Sequence, residues 1–267
     1  MNFFHTVLAL CTSFQAYREV RDRPFGDSVK HLLKLVTLLG LMLTLSLIPL
    51  ALKSTDTLAQ RFDTGRPDFS IQNGRVVTAA TEPRYWGDDE LRFGLVPAGP
   101  AVESNPPALY GLVFHADHFV FWTTVTNVTP AAVRQFENKL NGFPDGPVDG
   151  EYFRRLLRWT LPVLLPMGWV LLILVGMLTA MLQAYTFALI GSLMERNLPG
   201  GLNFSQLLNV TLHAVTPAAI LVTVYLALQL RGLDLWLVYL IAFGVFLLGA
   251  TSACRDGKPD TEEEDML

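Results

Sequence analysis

Apolar positions along this chain fall into blocks, and the blocks have different periods. Leu32 to Leu52 is almost wholly apolar. Twenty-one residues at 1.5 Å each reach about 32 Å, which matches a bilayer hydrocarbon core of about 30 Å. Three further apolar blocks lie in the second half: Leu161 to Ile190, a stretch opening at Asn203 and running to Leu230, and Leu235 to Ser252. Thirty residues are too few for two spans, so the first of these predicts one, with its regular part beginning near Pro166. Asn203 with Gln206 has the form of a capping box. Gly232 is placed to end the third span, and Asp234 to cap the fourth. Trp169, Trp236 and Tyr239 fall where an aromatic belt belongs.

Residues 53–158 read differently. Phe69-Ser70-Ile71 alternates, Asn73-Gly74 follows, then Val76 and Val77; Asn-Gly between apolar stretches is a strong hairpin signal. Leu91–Val96, Leu109–Phe114 and Phe119–Val125 are further strand candidates, the last two joined by His115-Ala116-Asp117-His118. Thr129-Pro130 has the form of an N-cap and first helical residue, which predicts a helix to about Leu140, stopped by Asn141-Gly142. A small antiparallel sheet with one or two helices is expected, folding on its own from Ser54 to Gly150. Ahead of the first span, Phe3, Phe4, Val7, Leu8, Leu10 and Phe14 recur at helical spacing before Arg18, Arg21 and Arg23. That pattern fits a helix in the membrane interface or one packed on the bundle's own end.

The expected fold is therefore a membrane all-α bundle of four transmembrane helices with an inserted extracytoplasmic α+β domain. Its parts are an interfacial segment 1–31, spans at 32–52, 161–192, 204–230 and 233–252, the domain at 53–158, and an acidic cytoplasmic tail 253–267. An even number of spans puts both termini on one side. Arg18, Arg21, Arg23, Lys30 and Lys34 flank the first span, and the positive-inside rule places that side in the cytoplasm. Arg154, Arg155 and Arg158 flank the second span on the opposite side and argue the other way; the first helix usually dominates.

Composition narrows function. Only 16% of residues are charged and the formal net charge is −4, so no basic field points to nucleic acid. Glu262-Glu263-Glu264-Asp265 reads as a self-repelling solvated tail. Cys11 and Cys254 make no metal motif and supply no disulfide to residues 53–158. Leu8-Ala9-Leu10-Cys11 lacks the n-region and small residue of a lipoprotein box, and the first span can itself direct insertion. His115, Asp117 and His118 are read as a solvated turn rather than metal ligands, since three residues at a hairpin tip cannot all turn inward. No zincin, nucleophile-elbow or phosphate-loop pattern occurs.

Polar residues inside the spans are the remaining candidates, because they are expensive there. Gln206, Asn209, His213 and Thr216 share one face of the third span, with Pro217 beside them; Gly176, Thr179, Gln183 and Thr186 share one face of the second. These faces are expected to turn toward each other, with His213 bonded to Gln183 or Thr179. The candidate intramembrane cluster is Thr179, Gln183, Asn209, His213 and Thr216. It reads either as hydrogen-bonded packing or as a polar pathway, and the lack of a central charged residue favours packing.

Ser13-Phe14 with Tyr17-Arg18, Pro67-Asp68-Phe69-Ser70-Ile71 with Asn73-Gly74, and Ala214-Val215-Thr216-Pro217 resemble, in this order along the chain, a bacterial family called domain of unknown function 1189, itself similar to Yip-type multi-pass membrane proteins. The resemblance implies a helical membrane bundle with an outer insert and an accessory role, some relatives being associated with carbohydrate-uptake loci. It supplies no catalytic residues. The expected function is a non-enzymatic membrane accessory or scaffold whose outer domain binds a protein or envelope partner. The alternative is small-solute or ion permeation along the polar faces of the second and third spans. No cofactor or metal is expected. The expected partners are the lipid bilayer and an envelope protein, with homo-oligomerisation left open. The expected location is the bacterial inner membrane.

Overall fold

A computed structural model describes residues 2–97, 108–125, 132–195 and 201–255. The chain divides into two compact units, Met1–Ile48 with Leu164–Leu267, and Pro49–Val163. Four of its helices are long and apolar enough to cross a membrane: α3 (Phe25–Asp63), α4 (Gly150–Glu195), α5 (Phe204–Ala227) and α6 (Leu235–Arg255). Two shorter helices, α1 (Phe3–Thr12) and α2 (Ala16–Arg21), precede them.

In the first unit the helix ends are fixed by the signals in the sequence. Asn203 Oδ1 accepts from the Gln206 amide and Gln206 Oε1 from the Asn203 amide, a complete capping box at the start of α5. Asp234 Oδ1 accepts from the Trp236 and Leu237 amides at the start of α6, and Gly232 takes the left-handed φ of +102° that the preceding turn requires. The core of this unit is built from small residues at close approaches, Ala180, Ala184 and Ala188 of α4 with Ala214 and Ala218 of α5, and from Leu10, Tyr17, Leu32 and Phe243. Gly176 meets Val36, and Gly40 meets the Trp169 indole, whose Nε1 donates to the Thr37 carbonyl at 3.1 Å. A Cβ at Gly176 would come within 2.8 Å of Val36 Cγ1, so that close approach calls for glycine. α1 packs on the bundle through buried Thr6 and Leu10, while Phe4 and Leu8 remain 65% and 64% exposed.

The two long helices are longer than their apolar blocks. α4 begins at Gly150, well before Pro166, because Asp149 Oδ1 caps the Tyr152 amide and residues 150–160 carry a helical face of their own. Pro162 and Pro166 lie within the continuous helix.

The second unit holds two sheets. β1 (Phe69–Gln72) and β2 (Arg75–Thr78) form the expected hairpin, with Asn73 and Gly74 both at positive φ, and β8 (Gly146–Pro147) pairs on the other side of β1. The larger sheet has the order β3 (Arg84–Gly87), β4 (Leu91–Val96), β5 (Tyr110–His115), β6 (His118–Val125) and β7 (Ala132–Lys139). It is not wholly antiparallel, since β4 and β5 run parallel. Its core face carries Trp86, Phe93, Leu95 and Phe114 against Phe62, Phe69, Leu140, Val148 and Tyr152. Trp86 Nε1 donates to the Phe62 carbonyl at 2.8 Å. On the opposite face Trp122 lies over Gly111, where any Cβ would fall inside the indole ring.

Two expectations for this unit are corrected. The helix expected from Thr129 to Leu140 is a strand: Ala132 to Lys139 pairs antiparallel with β6 from Val125↔Ala132 to His118↔Lys139. A full ladder to β6 outweighs the local helix signals. Thr129 and Pro130, which carried those signals, lie outside the described residues. The core also does not stop at Gly150, because Tyr152 is buried and Phe153 packs on Phe62 with ring centroids 4.7 Å apart.

Candidate functional site

The polar residues of α5 face α3 and the N-terminal segment, not α4 as the sequence pattern had led us to expect. Asn209 is a fully engaged hub. Its Oδ1 accepts from Ser28 Oγ at 2.9 Å, and its Nδ2 donates to the carbonyls of Arg21 and Arg23 at 3.1 and 2.7 Å. Gln206 reaches the same segment, its Nε2 donating to Asp22 Oδ1 at 2.7 Å. Two turns beyond Asn209 along α5, Thr216 Oγ1 lies 3.2 Å from His31 Nε2.

His213 sits between these two contacts, 0% exposed. Its Nδ1 is 2.8 Å from the Asn209 carbonyl. A carbonyl only accepts, so Nδ1 carries the hydrogen and Nε2 presents its lone pair. No described residue bonds that lone pair. The ring stacks on His31 at 4.7 Å and 26°, and Phe3 packs on the far side of His31 at 5.3 Å. The site at the α3–α5 contact is thus a stacked imidazole pair between two hydrogen-bonded anchors, with no acidic partner among the described residues.

Thr179 and Gln183 do not join it. Thr179 Oγ1 donates to the Val175 carbonyl of its own helix at 2.5 Å. Gln183 Oε1 accepts from the Tyr239 hydroxyl of α6 at 2.5 Å. The five sequence candidates therefore separate into Asn209, His213 and Thr216 at the α3–α5 contact, Gln183 at α4–α6, and Thr179 on a wall of α4. Both Thr179 and Gln183 line a cavity of about 710 Å³ among α3, α4, α5 and α6.

Sequence reasoning passed over His31 and Ser28, because they precede the apolar block and were counted with its flank. The signal was there: Ser28, His31 and Leu35 recur at intervals of three and four, and Ser28, His31 and Leu35 are all buried. The arginines ahead of the first span also do more than mark a side. Arg18 Nε donates to the Ala253 carbonyl at 2.6 Å and Arg21 Nη1 to the Cys254 carbonyl at 2.9 Å. They satisfy carbonyls that the last turn of α6 leaves without intrahelical partners. Buried Glu195 at the end of α4 pairs with Arg255 of α6 and accepts from the Leu202 amide.

In the second unit the β5–β6 turn is less solvated than its sequence implies. His115 is buried and stacks on His118 at 4.5 Å, while His118 Nδ1 is 2.8 Å from Asp117 Oδ1. Burial, and then the neighbouring His118, push the His115 imidazole below its ordinary value. The His118 hydrogen bond holds the Asp117 carboxyl below the usual carboxylate range. Among the described residues no three His, Cys, Asp or Glu side chains gather as metal ligands.

A bundle of four apolar helices carrying a sheet-bearing insert defines a broad architectural class, and a match to a protein family narrows it. Residues 4–250 match the family described as "Protein of unknown function (DUF1189)". With nearly its whole length matched, the chain belongs to that family. No curated protein and no solved structure matches the chain.

Proposed function

We propose that this protein is a multi-pass accessory or scaffold protein of the bacterial inner membrane, with α3–α6 as its spans, both termini cytoplasmic and the sheet-bearing unit outside. In this reading the outer unit binds a protein partner by strand addition to β7. One observation carries it. β7 ends the order of the five-stranded sheet, and its residues 134–139 are exposed on both faces. An edge of eight residues with no further strand beside it among the described residues is a template for another strand unless it is protected. The apolar face continues onto it, with Phe121 and Phe136 opposite each other and Phe136 54% exposed.

The orientation rests on the basic flank of the first span, since the first helix usually dominates over a later flank such as Arg154, Arg155 and Arg158. The test is a photo-crosslinking amino acid at position 138, beside Phe136 on the same face of β7, in native membranes, with co-purification in mild detergent. A fixed-stoichiometry crosslinked complex that Phe136→Glu removes is expected. A complex that Phe136→Glu leaves intact, or solute flux by the purified protein alone in liposomes, overturns the reading.

A further inference from the structure

We propose that the cavity among α3, α4, α5 and α6 is a binding site for one acyl chain of a membrane phospholipid, with its ester carbonyl held by Gln183. The inference rests on the reading of these helices as membrane spans. The cavity measures about 710 Å³, within the range of built ligand sites. On α5 it is walled by Val215, Ala219 and Val222, spaced so as to share one helix face. Leu39 and Leu43 of α3 and Leu172 of α4 continue that apolar surface.

The wall decides among occupants. Water needs two to four polar partners, and this lining offers few. The hydroxyls of Thr179 and Thr186 are already donated to the Val175 and Leu182 carbonyls. A helix from a second chain has its backbone carbonyls already bonded within itself, so it brings no main-chain acceptor to this wall. A flexible hydrocarbon chain is thin enough to follow the space, and the bilayer supplies it at high concentration. One polar requirement remains at the wall. Gln183 Oε1 is taken by the Tyr239 hydroxyl, which leaves the Nε2 hydrogens free of any acceptor among the described residues. A donor in an otherwise apolar wall selects a chain that ends in a carbonyl.

The test uses the full-length protein in phosphatidylethanolamine–phosphatidylglycerol vesicles containing a trace of phosphatidylcholine with a diazirine in one acyl chain. After irradiation, adducts are mapped by peptide mass spectrometry. Leu174 and Leu178 are exposed on α4 and report contact with any surrounding lipid. Adducts at Val215, Ala219 and Val222 report the cavity. Both sets are expected. Ala219→Trp, which projects an indole into the space, should lower the second set severalfold while leaving the first. Gln183→Leu should lower the phospholipid retained through detergent purification. Labelled Leu174 and Leu178 with an unlabelled α5 set overturn the acyl site alone. Recovery of free fatty acid rather than phospholipid from the purified protein overturns the ester assignment. Absence of labelling at Leu174 and Leu178 overturns the membrane reading on which the site rests.

Discussion

Eight residues decide whether the sheet-bearing unit folds alone. A fragment ending at Gly150 keeps every described strand but loses Tyr152 and Phe153. Tyr152 is 2% exposed, packs in the core with Phe62 and Phe93, and donates its hydroxyl to the Pro144 carbonyl at 3.0 Å. Removing one buried aromatic side chain costs about 3–5 kcal/mol. The loss of Phe153 from Phe62, and of the Asp149 cap on the Tyr152 amide, adds to that. A module of about a hundred residues has only about 5–15 kcal/mol in total. Residues 54–150 should therefore give no cooperative thermal transition by circular dichroism, whereas residues 54–158 should. In the longer fragment Tyr152→Ala should lower the melting temperature by at least about 12 °C, taking about 4 °C per kcal/mol. Cooperative melting of the shorter fragment within a few degrees of the longer one would refute this account of the core.

Other expectations follow from single contacts. Asn209→Leu removes three hydrogen bonds, at about 0.6 kcal/mol each in measured membrane cycles, or about 2 kcal/mol together. Thr179→Val removes a bond only to its own helix and should leave stability in detergent unchanged; equal heat-aggregation shifts for the two variants would contradict the placement of the hub. His213→Leu deletes a buried nitrogen that no described residue bonds and so should hold or raise that aggregation temperature; a marked fall would mean that Nε2 has a partner. For the 54–158 fragment, the depressed His115 imidazole favours the neutral form in the fold. That stability is present above the ordinary imidazole value of about 6.5 and is lost as pH falls below it. Melting should therefore drop between pH 7.5 and 5.5, and His115→Leu should remove most of that drop. The depressed Asp117 carboxyl adds stability that persists above the ordinary carboxylate range and is lost only at lower pH.

Apolar block length, the Asn73-Gly74 hairpin and the capping box at Asn203 were legible because each is a local rule with a local cause. The β7 segment was not. Its Val133, Phe136 and Leu140 fit a helical spacing as well as any strand, and only pairing with β6 separates the two. The polar face of α5 was legible as a face, since Asn209, His213 and Thr216 do lie together, but not its partner. Periodicity fixes which side of a helix is polar and carries no information on what that side meets. The partner turned out to be Ser28 and His31, residues at the polar margin of an apolar block, where hydropathy places a boundary and stops looking.

The grip of Arg18 and Arg21 on the Ala253 and Cys254 carbonyls joins a segment ahead of the first long helix to the last turn of the fourth. During synthesis these two side chains therefore have no carbonyl to hold until the fourth long helix has emerged. The contacts with α5 can form earlier, so the last bonds to close are those of the two arginines, and a chain cut short before residue 253 lacks their carbonyl acceptors.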